Sequence, residues 1–156
     1  EGRMKTALYV AAAARTYRKA IDDYFDSEAI YRSHIEWYRE EIANVRTGSL
    51  QLDLFGKPDA EAQIYDASTY IKEYTYLGIV EAVDARGFAK IRQRNKFCAG
   101  DTIELMKPDG RNVPVTVRRL YDADGTEVDA APHPKQELYL ELTQEAAVYD
   151  LLRVKK

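Results

Sequence analysis

Side chains able to perform covalent catalysis are few in this sequence of 156 residues. It contains two histidines, His34 and His133, and a single cysteine, Cys98. Nucleophilic catalysis requires a serine or cysteine within hydrogen-bonding reach of an oriented base. The three residues lie far apart in the sequence, and the motifs G-x-S-x-G, H-E-x-x-H and C-x-x-C are absent. We therefore expect no catalytic centre, and neither a zinc site nor an iron–sulfur cluster, in this chain.

Each of these residues also has a simpler interpretation. His34 lies in a helical pattern beside Trp37 and Tyr38, which favours a packing or surface role. His133 lies between two prolines and is expected in a stiff turn. Cys98 is expected to be a buried structural thiol.

A cluster of basic residues is the strongest functional signal in the sequence. From Arg86 to Lys96 there are five basic residues and no acidic residue, although the whole chain has a formal net charge of −3. On a strand from Phe88 to Arg94, Lys90, Arg92 and Arg94 would share one face at intervals of about 7 Å. That arrangement suits the phosphates of a nucleic-acid backbone. The alternative is a solvent-facing strand whose charges discourage edge pairing.

We expect this cluster to contact nucleic acid mainly through its cations, with Asn95 as a turn residue or polar reader. The candidate nucleic-acid-binding residues are Lys90, Arg92, Arg94, Asn95 and Lys96. Three nearby aromatic residues, Tyr74, Tyr76 and Phe97, are candidates to stack on bases. For the two tyrosines, filling the interior of the barrel is the favoured alternative.

Two helical patterns precede the cluster. Apolar residues recur every three, four or seven positions over about residues 4–25, and again over about residues 28–45. Asp26 and Ser27 separate the patterns and are N-cap candidates. So short a link predicts an antiparallel helical hairpin. The acidic pairs within these helices, Asp22-Asp23 and Glu40-Glu41, are expected to be solvated.

From about residue 70 the hydrophobic period changes to two. Turn sequences at Asp84–Gly87, Pro108–Gly110 and Asp122–Gly125 separate five or six short strands. The predicted fold class is therefore α+β, an N-terminal helical hairpin followed by a small antiparallel β-barrel. The predicted boundaries are residues 1–48 for the two-helix hairpin, 49–69 for a linker and 70–156 for the C-terminal barrel.

The sequence also bears on the cellular compartment. A single cysteine suits a reducing environment. No apolar run approaches the ~18–20 residues that span a bilayer. We therefore expect a cytoplasmic protein without a membrane partner.

Several blocks of this sequence resemble the C-terminal region of the peptidase U32 family. The most specific block joins Arg94–Phe97 to Gly100–Glu104. Further matching blocks are residues 1–5, 17–22, 55–58, 63–65, 70–80, 131–134 and 149–153. Two departures stand out: Ser49–Asp53 intervenes where the family has an aromatic-rich, glycine-containing piece, and the cysteine-rich signature of the catalytic domain is absent. The resemblance of residues 1–5 to family sequence favours excision from a longer chain over the remnant of a tag.

Members of the U32 family are described as collagenase-like peptidases, and similar proteins act in hydroxylating tRNA or ribosomal RNA. The resemblance implies one of these activities for a parent protein, together with an iron–sulfur cluster there. It also implies two partners: the missing N-terminal catalytic domain, and tRNA or rRNA as substrate. No family catalytic residue matches a position of this chain, so we expect no catalytic residue and no cofactor within it.

Three functions follow in order of preference. The first is an accessory, substrate-presenting domain that binds structured RNA for a catalytic domain elsewhere. The second is a structural or protein-docking module of a U32 protease with no nucleic-acid role, in which Leu50–Phe55 and the helical seam cover the catalytic domain. The third, that the chain is itself a peptidase, has the least support.

Overall fold

The structure is a computed structural model that describes residues 6–44, 74–131 and 135–155. The chain divides into two compact units, Glu1–Glu73 and Tyr74–Lys156. The predicted linker at 49–69 and its apolar segment Leu50–Phe55 lie outside the described residues, as does His133. The boundaries predicted from the sequence therefore stay predictions.

The first unit contains three helices. They are α1 (Ala7–Asp26), α2 (Glu28–Ser33) and α3 (Ile35–Ala43). Thr6 caps α1 by accepting a hydrogen bond from the Tyr9 amide, and Ser27 caps α2 by accepting one from the Ala29 amide. The second predicted helix is interrupted at His34, whose φ of −101° and ψ of 3° leave the helical region. Its imidazole turns instead toward α1.

A buried ion pair joins α1 to α3. The Arg15 Nη2 atom lies 2.5 Å from the Glu41 Oε2 atom, and both side chains are about 95% buried, with exposures of 4% and 5%. Removing two charges from water is costly unless they pair closely. The pair therefore fixes how the two helices pack, and the prediction that Glu41 is solvated was wrong.

A second acidic residue of the helices, Asp23, is also buried rather than solvated. Its carboxylate accepts hydrogen bonds from Tyr38 Oη at 2.6 Å, His34 Nδ1 at 2.8 Å and Lys19 Nζ at 3.1 Å. Burial alone raises the pKa of Asp23, but the hydrogen bonds from Tyr38, His34 and Lys19 outweigh it and lower the pKa to about 2. The same burial and contact raise the pKa of Tyr38.

We expect the first unit to lose about 2 kcal/mol of stability as the pH falls from about 4 to about 2. The folded-state pKa of Asp23 lies below its ordinary value of 3.8, so this stabilisation is complete above that value and disappears through the folded pKa. The fluorescence of Trp37, the single tryptophan, reports urea unfolding of this unit at each pH. The Asp23→Asn variant should lack this component, and an identical pH dependence in both proteins would contradict the assignment.

The second unit is an antiparallel sheet of seven strands. They are β1 (Tyr74–Val83), β2 (Ala89–Arg92), β3 (Thr102–Met106), β4 (Asn112–Tyr121), β5 (Glu127–Val128), β6 (Glu137–Leu142) and β7 (Leu151–Lys155). The strand order is β3-β7-β1-β2-β6-β4-β5, and β3 also pairs with β4. Six strands therefore pair in a ring, and the prediction of helices followed by an antiparallel sheet is confirmed.

Local sequence explains the three turns that were predicted. Asp84 Oδ1 accepts hydrogen bonds from the Arg86 and Phe88 amides between β1 and β2. Asp109 and Asp122 accept backbone amides in the same way after β3 and β4. Side-chain acceptance of this kind stabilises turns without any tertiary contact.

Apolar side chains of the six strands form the core of this unit, and a buried arginine lies on the opposite face of β7. Leucines alternate inward on β6, where Leu138 and Leu140 are fully buried. Arg153 is only 1% exposed, and its Nε donates to Glu104 Oε2 at 2.6 Å. The Arg153 guanidinium also lies 4.1 Å from the centroid of the Tyr74 ring. The arginine thus links β7 to β3 and to β1.

Within the described parts of the chain, no helix is both long enough and apolar enough to cross a membrane.

Candidate nucleic-acid interface

The basic cluster begins on β2 and continues into the loop that follows. The strand is shorter than the predicted Phe88–Arg94, because pairing with β6 ends at Arg92 opposite Glu137. Burial still alternates beyond the strand, with Gln93 buried and Arg94 exposed. The cations at alternate positions therefore keep facing solvent on one side of the chain.

Two of the predicted contacts, Lys90 and Arg92, are neutralised by neighbouring acids. Lys90 Nζ lies 3.1 Å from Glu137 Oε2. Arg92 lies 3.7 Å from Glu81 and 3.8 Å from Glu137. The hydrogen bond with Glu137 raises the pKa of Lys90. Because these charges are already paired, a phosphate approaching either side chain would have to compete with a carboxylate.

Arg94 and Lys96 are placed differently. Both residues are exposed, and in residues 74–131 and 135–155 neither side chain forms an ion pair with a carboxylate. The Arg94 guanidinium is hydrogen-bonded to Tyr76. Burial raises the pKa of Tyr76, and the nearby guanidinium partly opposes that rise. These two cations therefore offer positive charge that the described residues do not cancel. We call Arg94 and Lys96 the free cation pair.

Backbone contacts hold the loop between β2 and β3 against β1. The Arg94 amide donates to Leu77 O at 2.8 Å, and Asn95 Nδ2 donates to Tyr76 O at 2.6 Å. Of its two predicted roles, Asn95 thus has the geometry of a turn residue, because its side-chain amide donates to the backbone of β1. Gly78 permits this approach, because a Cβ there would lie 3.1 Å from Arg92 O. The free cation pair is consequently carried by a loop fixed at several points.

The aromatic residues proposed to stack on bases are mostly engaged elsewhere. Phe97 is 3% exposed and belongs to the apolar core, so it fills the interior and the stacking role predicted for it was wrong. Tyr74 packs against Arg153, and Tyr76 is half-buried beside Arg94.

Sequence reasoning missed another aromatic pair, Phe88 and Tyr121. Their ring centroids lie 5.5 Å apart with planes inclined by 12°. The Arg86 guanidinium lies 4.4 Å from the Phe88 centroid and 5.7 Å from that of Tyr121. We call Phe88 and Tyr121 the aromatic platform. Phe88 stands two positions before Lys90, so the alternation along the strand could have predicted that it faces outward. Its contact with Tyr121 could not be predicted in this way, because it depends on strand pairing.

Two of the residues considered for covalent or metal chemistry, Cys98 and His34, belong to different units. Cys98 is partly buried at a bridge with Ala130, and its amide donates to Asp101. His34 belongs to the first unit, where Asp23 orients its ring. Over the described ranges, no group of three or more His, Cys, Asp or Glu side chains is placed to hold a metal ion.

Comparison with known proteins places these two units in context. The family model of the peptidase family U32 C-terminal domain matches residues 72–153, and that of peptidase family U32 matches residues 1–63. The chain is 32% identical to tRNA hydroxylation protein P1 of Bacillus subtilis, over 98% of this chain and 36% of that protein. It is 28% identical to tRNA hydroxylation protein P of Escherichia coli, over 93% of this chain and 31% of that protein. The chain thus spans about a third of the length of these relatives.

The chain is also similar to solved structures of U32 C-terminal domains. A crystal structure of the C-terminal domain of a Geobacillus thermoleovorans protein assigned to the U32 peptidases is 32% identical to this chain. The match covers 52% of this chain and 91% of that one, with a TM-score of 0.46. Its selenomethionine variant is also 32% identical, covering 51% of this chain and 99% of its own, with a TM-score of 0.47.

Proposed function

This chain belongs to peptidase family U32, and on that premise we propose that it is the accessory portion of a larger U32 protein and presents RNA to a catalytic domain elsewhere in that protein. The relatives named tRNA hydroxylation proteins favour tRNA as that RNA. We further propose that the six-stranded ring forms a closed β-barrel, whose rigid wall carries the contact loop.

The observation that carries the RNA role is the free cation pair. Arg94 and Lys96 are exposed on a loop that backbone hydrogen bonds hold against β1. A guanidinium binds phosphate through a planar fork, and an ammonium binds it as a compact charge. Contacts of this kind orient a nucleic acid without reading its sequence, which suits a domain that presents substrate to chemistry performed elsewhere.

The proposed role assigns no cofactor to this chain. Iron–sulfur clusters are typically held by four cysteine thiolates, and the sequence contains only Cys98. One cysteine does not fit such a group, so we propose that any cluster of the parent protein lies in its remaining part.

A docking function has its own observation, in the first unit. Val10, Tyr17, Ile21 and Tyr24 are between 48% and 64% exposed, and their spacing of seven, four and three places them on one face of α1. Exposed apolar faces of this kind mark protein contacts. The partner would be the remaining part of the U32 protein, and this role needs no nucleic acid.

Binding of tRNA to the wild-type chain tests the RNA role. We expect binding at low salt that weakens as salt rises, with a slope of log K against log salt of about −1 to −2, because each phosphate contact contributes roughly 0.7–0.9. A filter-binding titration at several salt concentrations measures this slope. A chain that binds no tRNA at low salt, yet captures the rest of its U32 protein after nuclease treatment, would instead support the docking function.

A further inference from the structure

We infer that the aromatic platform of Phe88 and Tyr121 stacks on an unpaired base of the RNA whose phosphates meet the free cation pair. This inference rests on the proposed RNA role and extends it from backbone contacts to a second kind of contact. It names the single-stranded part of the RNA as the element that the sheet unit recognises.

The shape follows from three distances. The Arg86 guanidinium is 4.4 Å from the Phe88 centroid and 5.7 Å from the Tyr121 centroid, while the two centroids are 5.5 Å apart. Arg86 therefore lies close to both rings and nearer to Phe88. The two rings are nearly parallel and stacked, and both residues are partly exposed.

The side chains around the platform are already fixed. Arg86 is held by Asp84, with its Nε 2.9 Å from Asp84 Oδ2, and its side chain is 55% exposed. Arg119 is hydrogen-bonded to Tyr121. Because Asp84 neutralises Arg86, this arginine is suited to stacking by its flat face rather than to binding phosphate. Bases in RNA stack both on aromatic rings and on guanidinium planes.

The position of the platform joins it to the cations. Phe88, Lys90, Arg92 and Arg94 occupy alternate outward positions, so the platform and the free cation pair are separated by about 20 Å along one face. Across the sheet, Lys90 pairs with Tyr139, which pairs in turn with Tyr121. The surface is thus continuous, and its extent suits the short single strands, roughly 4–16 nucleotides, that OB folds bind.

An aromatic pair also stabilises the fold by about 0.5–1.5 kcal/mol, and the test must separate that role from stacking on RNA. The variant Phe88→Leu with Tyr121→Leu removes both rings and keeps apolar bulk. The matched control, Phe88→Tyr with Tyr121→Phe, keeps both rings. The probes are a short single-stranded RNA of mixed sequence and the duplex formed from it with its complement.

We expect the double leucine variant to bind the single strand about tenfold more weakly, since stacking on one base contributes roughly 1–3 kcal/mol. Its affinity for the duplex, and the affinity of the control for both probes, should match wild type. Ultraviolet cross-linking of the wild-type chain to the single strand should attach RNA at Phe88 or Tyr121, and this measurement needs no variant to fold.

The outcomes separate this inference from the function on which it rests. Unchanged single-strand affinity, or cross-links confined to other residues, would overturn the platform's role. If Arg94→Glu with Lys96→Glu still weakened binding of both probes, the proposed RNA role would stand without it. If the wild-type chain bound neither probe, both proposals would fail together.

Discussion

Reversing the free cation pair, in the variant Arg94→Glu with Lys96→Glu, should lower the affinity of the chain for tRNA by between about tenfold and a hundredfold at moderate salt. Each reversal removes one phosphate contact and places a repelling charge at the same point. The salt slope should also become shallower by about 1–2, because fewer counterions are released. Filter binding at a series of salt concentrations gives both quantities.

A matched control separates local contact from overall charge. Arg32 and Arg39 are exposed arginines of the first unit, paired with Glu28 and Glu36. The variant Arg32→Glu with Arg39→Glu changes the net charge by the same amount but should leave tRNA affinity close to wild type. Equal losses in the two variants would mean that net charge, rather than the loop after β2, controls binding.

The largest effect on stability is expected at Arg153. The variant Arg153→Met should lower the free energy of unfolding of the sheet unit by about 3 kcal/mol, because it leaves the Glu104 carboxylate without its buried partner. The Glu104 side chain is 25% exposed, so water partly solvates its carboxylate in the variant. The expected loss of stability therefore lies at the low end of the range for broken buried ion pairs. Amide hydrogen exchange on β3 and β7 measures it, since the single tryptophan reports only the first unit.

A second substitution tests the cause. The variant Arg153→Met with Glu104→Leu removes both charges of this ion pair, and apolar replacements of buried pairs are often neutral or stabilising. The double variant should therefore recover most of the lost protection. If it remained as labile as Arg153→Met alone, other contacts of the arginine side chain, such as that with Tyr74, would be the main contribution.

Local signals in the sequence predicted much of the fold. The first helical pattern, about residues 4–25, corresponds to α1 at Ala7–Asp26, and the turns predicted at Asp84, Asp109 and Asp122 use side chains adjacent to the turn. The break at His34 was not predictable in this way. It coincides with a contact to Asp23 of α1, which becomes buried where the helices of this unit pack together.

The candidate site shows the same limit. Alternation along the chain identified Lys90, Arg92 and Arg94 as outward-facing, but Glu137 comes beside Lys90 only through the pairing of β2 with β6. Which cations lack acidic neighbours thus depends on strand order, and strand order depends on long-range pairings such as that of β1 with β7. Buried ionic side chains such as Arg15 and Arg153 are missed for a related reason, since a charge in a periodic pattern is ordinarily assigned to the solvent side.

The pairing of Tyr74 with Lys155 brings the first and last strands of the ring together. The polypeptide therefore enters and leaves this unit at neighbouring points, about 5 Å apart. A unit attached in this way can be transplanted into a surface loop of an unrelated host without stretching either protein. Such a graft would transfer the proposed RNA-contacting residues together: Phe88, Tyr121, Arg94 and Lys96.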